Sequence, residues 1–163
     1  MSSDHIESLE TIIIVDFGSQ YSHLIARRVR ELNVYCELVS PDTPWLDIVA
    51  LNPKGVILSG GPRSVYDHGA PIPPEWVLSS GIPVLGICYG MQAIVHQLGG
   101  KVVPGQKREY GHALVHQKTL DSPLLEYIPA STKVWMSHSD QVLELPEGFE
   151  VLAYSDNSPI AVM

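Results

Sequence analysis

The chain has 163 residues, 45% of them hydrophobic, with a net charge of −8 and an isoelectric point near 5.2. That size and apolar content suit one compact domain with its own core, while the acidic balance, with no basic stripe, argues against a nucleic-acid partner. The two cysteines, Cys36 and Cys88, are too few for a disulfide scaffold. Residues 1–10 lack the basic start and apolar stretch of a signal peptide, and no apolar run reaches membrane-spanning length, so a cytosolic chain without a membrane partner is expected.

Residues 1–10 read as a flexible tail. Thr11–Val15 (T-I-I-I-V) is a β-branched run, expected as a strand buried on both faces. Asp16-Phe17-Gly18 ends it, Ser19 is a candidate N-cap, and apolar residues at 21, 24, 25, 29 and 32 predict a helix over 20–32. Val34–Val39 predicts a second strand, and 41–50 a short helix capped near Thr43. Gly55–Leu58 predicts a third, buried strand that Ser59-Gly60-Gly61-Pro62 breaks. A Pro-rich stretch leads to a short helix over 75–80. Pro83–Ile87 is the fourth strand, expected to be buried, and Met91–Leu98 a helix stopped by Gly99-Gly100. This alternation implies an α/β fold with a doubly wound, open parallel sheet and helices on both faces. After Gly100, Lys101–Val103, Ala113–His116, Lys133–Met136, Phe149–Tyr154 and Pro159–Met163 predict mostly antiparallel strands, with one short helix near 124–127. The last of these strands is still apolar at Met163, which suggests that the domain continues beyond that residue.

The segment that carries chemistry is Gly86-Ile87-Cys88-Tyr89-Gly90. A Gly-x-nucleophile-x-Gly run between a strand and a helix is a nucleophile elbow, in which the turn is so tight that its flanking residues must be small. It stands at the carboxyl end of the strands, where open α/β sheets bind ligands. Free N–H groups and the dipole of the helix start favour thiolate over thiol. The alternative for Cys88 is a small buried apolar residue; glycines on both sides favour the nucleophile. Cys36, in N-V-Y-C-E-L, reads as packing.

An attacked carbonyl needs donors for its oxyanion. The N–H of Tyr89 is one candidate; the Gly60-Gly61 loop, at the same edge of a parallel sheet, is the other, although alone it would read as an ordinary turn. Gln92 lies one helical turn past Cys88 and either reaches a substrate or caps the helix start. Ser137, His138 and Ser139, in Trp135-Met136-Ser137-His138-Ser139-Asp140, either hydrogen-bond the charged ends of an amino acid or form a polar hairpin turn.

With these residues in view, the sequence resembles class I glutamine amidotransferases, and within them the GMP synthase group. The stretches that carry the match are Asp16-Phe17-Gly18-Ser19-Gln20-Tyr21, Leu58-Ser59-Gly60-Gly61-Pro62 with Ser64-Val65-Tyr66, Gly86 to Gln92, Arg108-Glu109-Tyr110-Gly111 and Trp135 to Asp140. The opening signature and the Met-Ser-His-Ser-Asp segment are unlike the amidotransferases that feed anthranilate or carbamoyl phosphate synthesis. The resemblance implies a flavodoxin-like sheet over 11–163 and attack of Cys88 on the side-chain amide of glutamine. Gly61, Gly60 and Tyr89 would hold the oxyanion; Gln92 and Ser137–Ser139 would hold the glutamine. It implies no cofactor or metal in this domain. The ammonia would pass to an ATP pyrophosphatase domain of the same longer chain, absent here, which uses ATP and Mg to aminate XMP to GMP. It also leaves room for a homodimer formed through the absent region.

The family activates its cysteine with a His-x-Glu motif, usually His-Pro-Glu, and no His-Pro-Glu occurs in the 163 residues. His138 falls in the segment matched to substrate binding, which speaks against it as the base. Two other readings stay open: a cysteine hydrolase of another kind, and a non-catalytic domain that docks on a synthetase. A general base is typically worth about a hundred- to ten-thousand-fold. The 163-residue polypeptide is therefore expected to hydrolyse glutamine very weakly or not at all, and steady-state turnover at rates typical of the family would overturn that expectation.

Overall fold

The structure is a computed structural model; it describes residues 10–119 and 121–163, apart from the side chains of 106–110 and 137–139. The expected tail lies outside the described residues, except for Glu10, which is exposed. The chain divides into two compact units, Met1–Ile94 and Val95–Met163. The division follows the change from alternating strands and helices to a strand-only pattern.

The first unit contains β1 (Thr11–Val15), α1 (Ser22–Glu31), β2 (Tyr35–Val39), α2 (Trp45–Val49), β3 (Pro53–Leu58), α3 (Glu75–Ser79), β4 (Val84–Gly86) and the start of α4 (Tyr89–Gln97). Its strands form one parallel sheet in the order β2-β1-β3-β4. As its β-branched run predicts, β1 is central: Ile13, Ile14 and Val15 are fully buried. Ile14, Ala26 and Cys36 form a core against which Ile12, Ile25, Val29, Leu38 and Ile57 pack. Cys36 is buried there, its thiol 3.5 Å from the Ala26 carbonyl, in the packing role expected of it.

Three local expectations are corrected. Ser19 does not cap α1, whose N-cap is Tyr21 without a side-chain bond; the Ser19 hydroxyl instead accepts from the Tyr21 N–H in a tight turn. Thr43 does not cap α2, which starts after Pro44, again with no side-chain cap; the fixed φ of proline is already compatible with helix entry. β4 is not fully buried. It pairs only with β3 among the described residues, and Leu85 and Ile87 are 39% and 37% exposed.

The second unit is built on a long antiparallel pair, β5 (Lys101–Gln117) and β6 (Ser131–Glu144), with the short β7 (Ala153–Tyr154) on the other side of β5. Several strand expectations therefore merge into two long strands. The strand expected over Lys101–Val103 runs on through a register shift: Pro104 faces Asp140 and Glu109 faces His138, so residues 105–108 bulge opposite Ser139. Phe149–Tyr154 shrinks to two strand residues. Pro159–Met163 forms no strand, only an isolated bridge from Val162 to Ala153. The helix expected near 124–127 is a run of turns, with Leu125 and Ile128 N–H groups bonded to the carbonyls of Ser122 and Leu125. Gln117 draws this segment to β5 by donating to the Ile128 carbonyl at 2.7 Å. Val142, Leu152, Ala153 and Ile160 are buried in this unit.

Burial sets the stability expectation. Ile14→Ala, at a fully buried central-strand position, is expected to cost about 2–5 kcal/mol. Leu46→Ala, at a residue 78% exposed, should stay within about 0.5 kcal/mol. Urea unfolding of both variants checks the contrast.

Candidate active site

Strand order places the switch point between β1 and β3, where neighbouring strands leave the sheet in opposite directions and open α/β folds bind ligands beyond the carboxyl ends. The loops after β1, β3 and β4 carry Asp16–Tyr21, Ser59–Pro62 and Cys88. Cys88 is exposed and has φ +53°, a left-handed conformation rare for a residue with a β-carbon. Such strain costs about 1–3 kcal/mol and persists only where the surroundings over-determine it.

The surroundings are the two flanking glycines. A β-carbon at position 86 would lie 2.6 Å from the Met91 nitrogen, and one at position 90 would lie 2.3 Å from the Leu58 carbonyl oxygen. Both obstacles are main chain and cannot swing away. The elbow is closed by the Gly90 N–H bonding the Ile87 carbonyl and the Gln92 N–H bonding the Cys88 carbonyl, at 3.0 and 3.1 Å. The thiol therefore stands on a rigid corner and is not part of a sealed core.

The Gly60-Gly61 loop lies beside it. A β-carbon on Gly60 would be 3.7 Å from Cys88 Cβ and 3.5 Å from Ser19 Oγ; one on Gly61 would be 3.0 Å from the Phe17 carbonyl oxygen and 3.3 Å from Tyr89 Cγ. Ser19, Gly60, Gly61, Cys88 and Tyr89 thus converge. Among the described residues, no turn, loop or cap hydrogen bond is donated by the main-chain N–H of Gly61 or Tyr89. Such a pair of amides near a nucleophile can receive a developing oxyanion.

Buried contacts hold the floor of this corner. The Tyr89 ring is 1% exposed, packs 5.3 Å from the Phe17 ring, and its hydroxyl donates to the Pro71 carbonyl; burial pushes its phenol above the usual range. Ser59 is fully buried and its hydroxyl accepts from the Phe17 N–H. Asp16 anchors the first loop, taking the Gly18 N–H, the Ser19 N–H and the Ser22 hydroxyl on one oxygen. Burial is the largest single influence on its carboxyl and acts upward, but the Ser22, Gly18 and Ser19 bonds and the His23 charge outweigh it and leave the group below its ordinary value.

Gln92 is 6% exposed, on α4 one turn past Cys88. Ser137, His138 and Ser139 lie in the second unit, inside β6 and not in a loop or hairpin turn. There the two stretches singled out in the sequence pair directly: Tyr110 faces Ser137 and Gly111 faces Met136, next to the bulge. Ser19 and Ser59 were missing from the residues predicted to form the site. Their signals were present in the Asp16–Tyr21 and Ser59–Pro62 stretches, but a serine in a turn has many ordinary uses.

A strained Gly-x-Cys-x-Gly corner at the carboxyl edge of a doubly wound sheet, with a Gly-Gly loop at its side, defines a protein of the cysteine-elbow α/β class. The chain belongs to the class-I glutamine amidotransferase family, whose family model matches residues 13–163. It is 62% identical over 158 residues to the GMP synthase (glutamine-hydrolyzing) of Dehalococcoides mccartyi, covering 96% of this chain and 30% of that protein. It is 58% identical to the protein of the same name from Thermomicrobium roseum, covering 96% of this chain and 29% of that one. The chain thus spans about 30% of the length of the curated relatives it matches. The crystal structure of a putative GMP synthase subunit from Thermoplasma acidophilum matches with a TM-score of 0.78 and 26% identity, over 93% of this chain and 76% of that one. A Thermotoga maritima glutamine amidotransferase shares the fold at a TM-score of 0.69 and 20% identity, over 91% and 68% of the two chains. No helix among the described residues is long and apolar enough to cross a membrane.

The steric demand at position 90 is directly testable. Gly90→Ala forces the Leu58 carbonyl and the elbow apart and is expected to destabilise the chain by about 2–4 kcal/mol. It should also change the rate at which iodoacetamide alkylates Cys88. Wild-type values for both, by denaturant titration and mass spectrometry, would show that the corner is not sterically fixed.

Proposed function

We propose that this chain is the glutaminase portion of a GMP synthase. The observation that carries this reading is the exposed, left-handed Cys88 next to the Gly60-Gly61 loop, in a chain 58–62% identical to glutamine-hydrolyzing GMP synthases such as those of Dehalococcoides mccartyi and Thermomicrobium roseum. In the proposed reaction the Cys88 sulfur attacks the side-chain amide carbon of glutamine. The N–H groups of Gly61 and Tyr89 hold the resulting oxyanion, with Gly60 keeping the loop close to the thiol. Collapse of the adduct expels ammonia and leaves a γ-glutamyl thioester, which water hydrolyses to glutamate while restoring the thiol.

Gln92, near the thiol by sequence and helix geometry, and the Ser137–Ser139 segment of β6 are the proposed contacts to the rest of the glutamine molecule. The ammonia is proposed to serve an ATP pyrophosphatase domain in the same longer chain. With ATP and Mg, that domain would activate XMP and convert it to GMP. A cytosolic location and a homodimer formed outside these residues complete the proposal. What supports the longer chain is the match to only about 30% of each relative's length.

The experiment uses the protein as its gene encodes it. A chloroketone analogue of glutamine is expected to label Cys88, and free glutamine to protect it; labelling indifferent to glutamine would favour a different cysteine hydrolase. Cys88→Ala should lower glutamine-dependent GMP formation by about 10⁴-fold or more while leaving GMP formation from ammonium salts near wild type. Loss of both activities together would contradict the assignment of Cys88 to the glutaminase step alone.

A further inference from the structure

We infer that Ser59 is a positioning residue for the proposed glutaminase reaction: its buried hydroxyl fixes the plane of the Gly60–Gly61 peptide so that the Gly61 N–H is directed to the Cys88 corner. The inference rests on the reading of Cys88 as the nucleophile. Ser59 is fully buried at the end of β3, and its own N–H donates to the Val15 carbonyl at 3.0 Å. Its hydroxyl oxygen accepts from the Phe17 N–H at 3.0 Å. That contact occupies a lone pair, so the single hydroxyl proton remains for another acceptor. It goes to the Gly60 carbonyl, 2.9 Å away.

The orientation of the next amide follows from peptide geometry. In a trans planar peptide the C=O and N–H point in opposite directions, and the Gly60–Gly61 peptide is trans. Holding the Gly60 oxygen on the Ser59 side turns the Gly61 N–H to the opposite side. The loop runs beside Cys88 and Tyr89, since a β-carbon at position 60 would lie 3.7 Å from Cys88 Cβ and one at position 61 would lie 3.3 Å from Tyr89 Cγ; the Gly61 N–H is assigned to that side. Two consecutive glycines impose little conformational preference of their own. A half-turn of this peptide would present an oxygen where a donor is required, reversing the sign of the electrostatic contribution to the oxyanion. The serine hydroxyl selects one of the two orientations and ties it to the Phe17 main chain.

The test compares Ser59→Ala and Ser59→Thr in the protein as encoded, with two readouts. Glutamine hydrolysis depends on the oxyanion donors. Alkylation of Cys88 by iodoacetamide displaces iodide and needs no oxyanion. Ser59→Ala is expected to lower kcat for glutamine hydrolysis about 10- to 100-fold, with KM within about threefold and the alkylation rate unchanged. Ser59→Thr, which keeps the hydroxyl, should hold kcat within about fivefold of wild type. Wild-type kcat in Ser59→Ala, an equal fall in its alkylation rate, or a threonine variant as slow as the alanine one overturns the inference. If Ser59→Ala does not fold, Ser59→Cys, a near-isosteric weak donor, must show the same selective loss of kcat, and wild-type kcat in that variant overturns it. An active wild type matched by Ser59→Ala defeats this inference alone; an inactive wild type defeats the underlying reading of Cys88 and this inference with it.

Discussion

The end of β3 is the constraint on which the rest of the site depends. The Leu58 carbonyl accepts the Ile87 N–H at 2.9 Å and occupies the space that a side chain on Gly90 would need. The same pattern recurs across the sheet. Asp16 N–H donates to Val39 at 2.9 Å, Ser59 N–H to Val15 at 3.0 Å, and Ile87 N–H to Leu58. Each loop thus begins with one more rung of the parallel ladder, bonded to the last residue of the neighbouring strand. This extra rung aligns the first, third and fourth loops at one edge. Cys88, Ser19 and the glycine pair converge because those three starting points are fixed by main-chain bonds, which depend little on side-chain identity.

A left-handed cysteine is unfavourable by itself, and the fold offsets that cost locally. Tyr89 follows it directly, with its ring against Phe17 and its hydroxyl on Pro71. Its position is therefore fixed from the loop after β1 and from the irregular stretch before α3. One residue thereby ties its own N–H, one of the two proposed anion donors, to the loop that supplies the other. The mutual packing of Phe17, Gly61 and Tyr89 ties the two proposed donors to each other. Such preorganisation matters more for an oxyanion than the strength of either hydrogen bond taken separately.

Much of the first unit was legible in the sequence because its signals are local and steric. Thr11–Val15 forms the predicted strand to the residue, and the glycines at 86 and 90 are needed for the reason their spacing suggested. Ser19 misled because its competitor for the helix entrance, Asp16, is six residues from Ser22 and takes three donors at once. The second unit was harder to read. An antiparallel ribbon with one solvated face gives no continuous apolar run, and Trp135 at 68% exposed shows how little burial dictates residue choice there. The strand expected over Lys101–Val103 does not stop there, because Pro104 still pairs with Asp140 and the ladder absorbs residues 105–108 in a bulge. Leu124–Tyr127 has helical spacing but too few residues to sustain a helix against the pull of the Gln117 bonds on its carbonyls.

That bulge also gives physical content to two motif stretches that looked unrelated in the sequence. Glu109, Tyr110 and Gly111 of the Arg108–Gly111 stretch pair with His138, Ser137 and Met136 of the Trp135–Asp140 stretch. A bulge bends the strand and re-aims the residues next to it, which is why bulges are conserved features and frequently adjoin functional sites. Four residues opposite one is a large insertion for a regular ribbon, and it includes Arg108 of the first stretch and Ser139 of the second. A single constraint, the geometry of this irregular pairing, can therefore select residues in both strands together. Glycine at 111, with φ +108° shortly after the bulge, fits that account: the chain must re-enter the ladder through a conformation that a side chain would resist. In the proposed substrate segment, Ser137 and His138 are thus held by pairing to Tyr110 and Glu109, and Ser139 stands opposite the bulge. Within the first unit the elbow is held by main-chain bonds, and within the second the β6 segment is held by its pairing with β5.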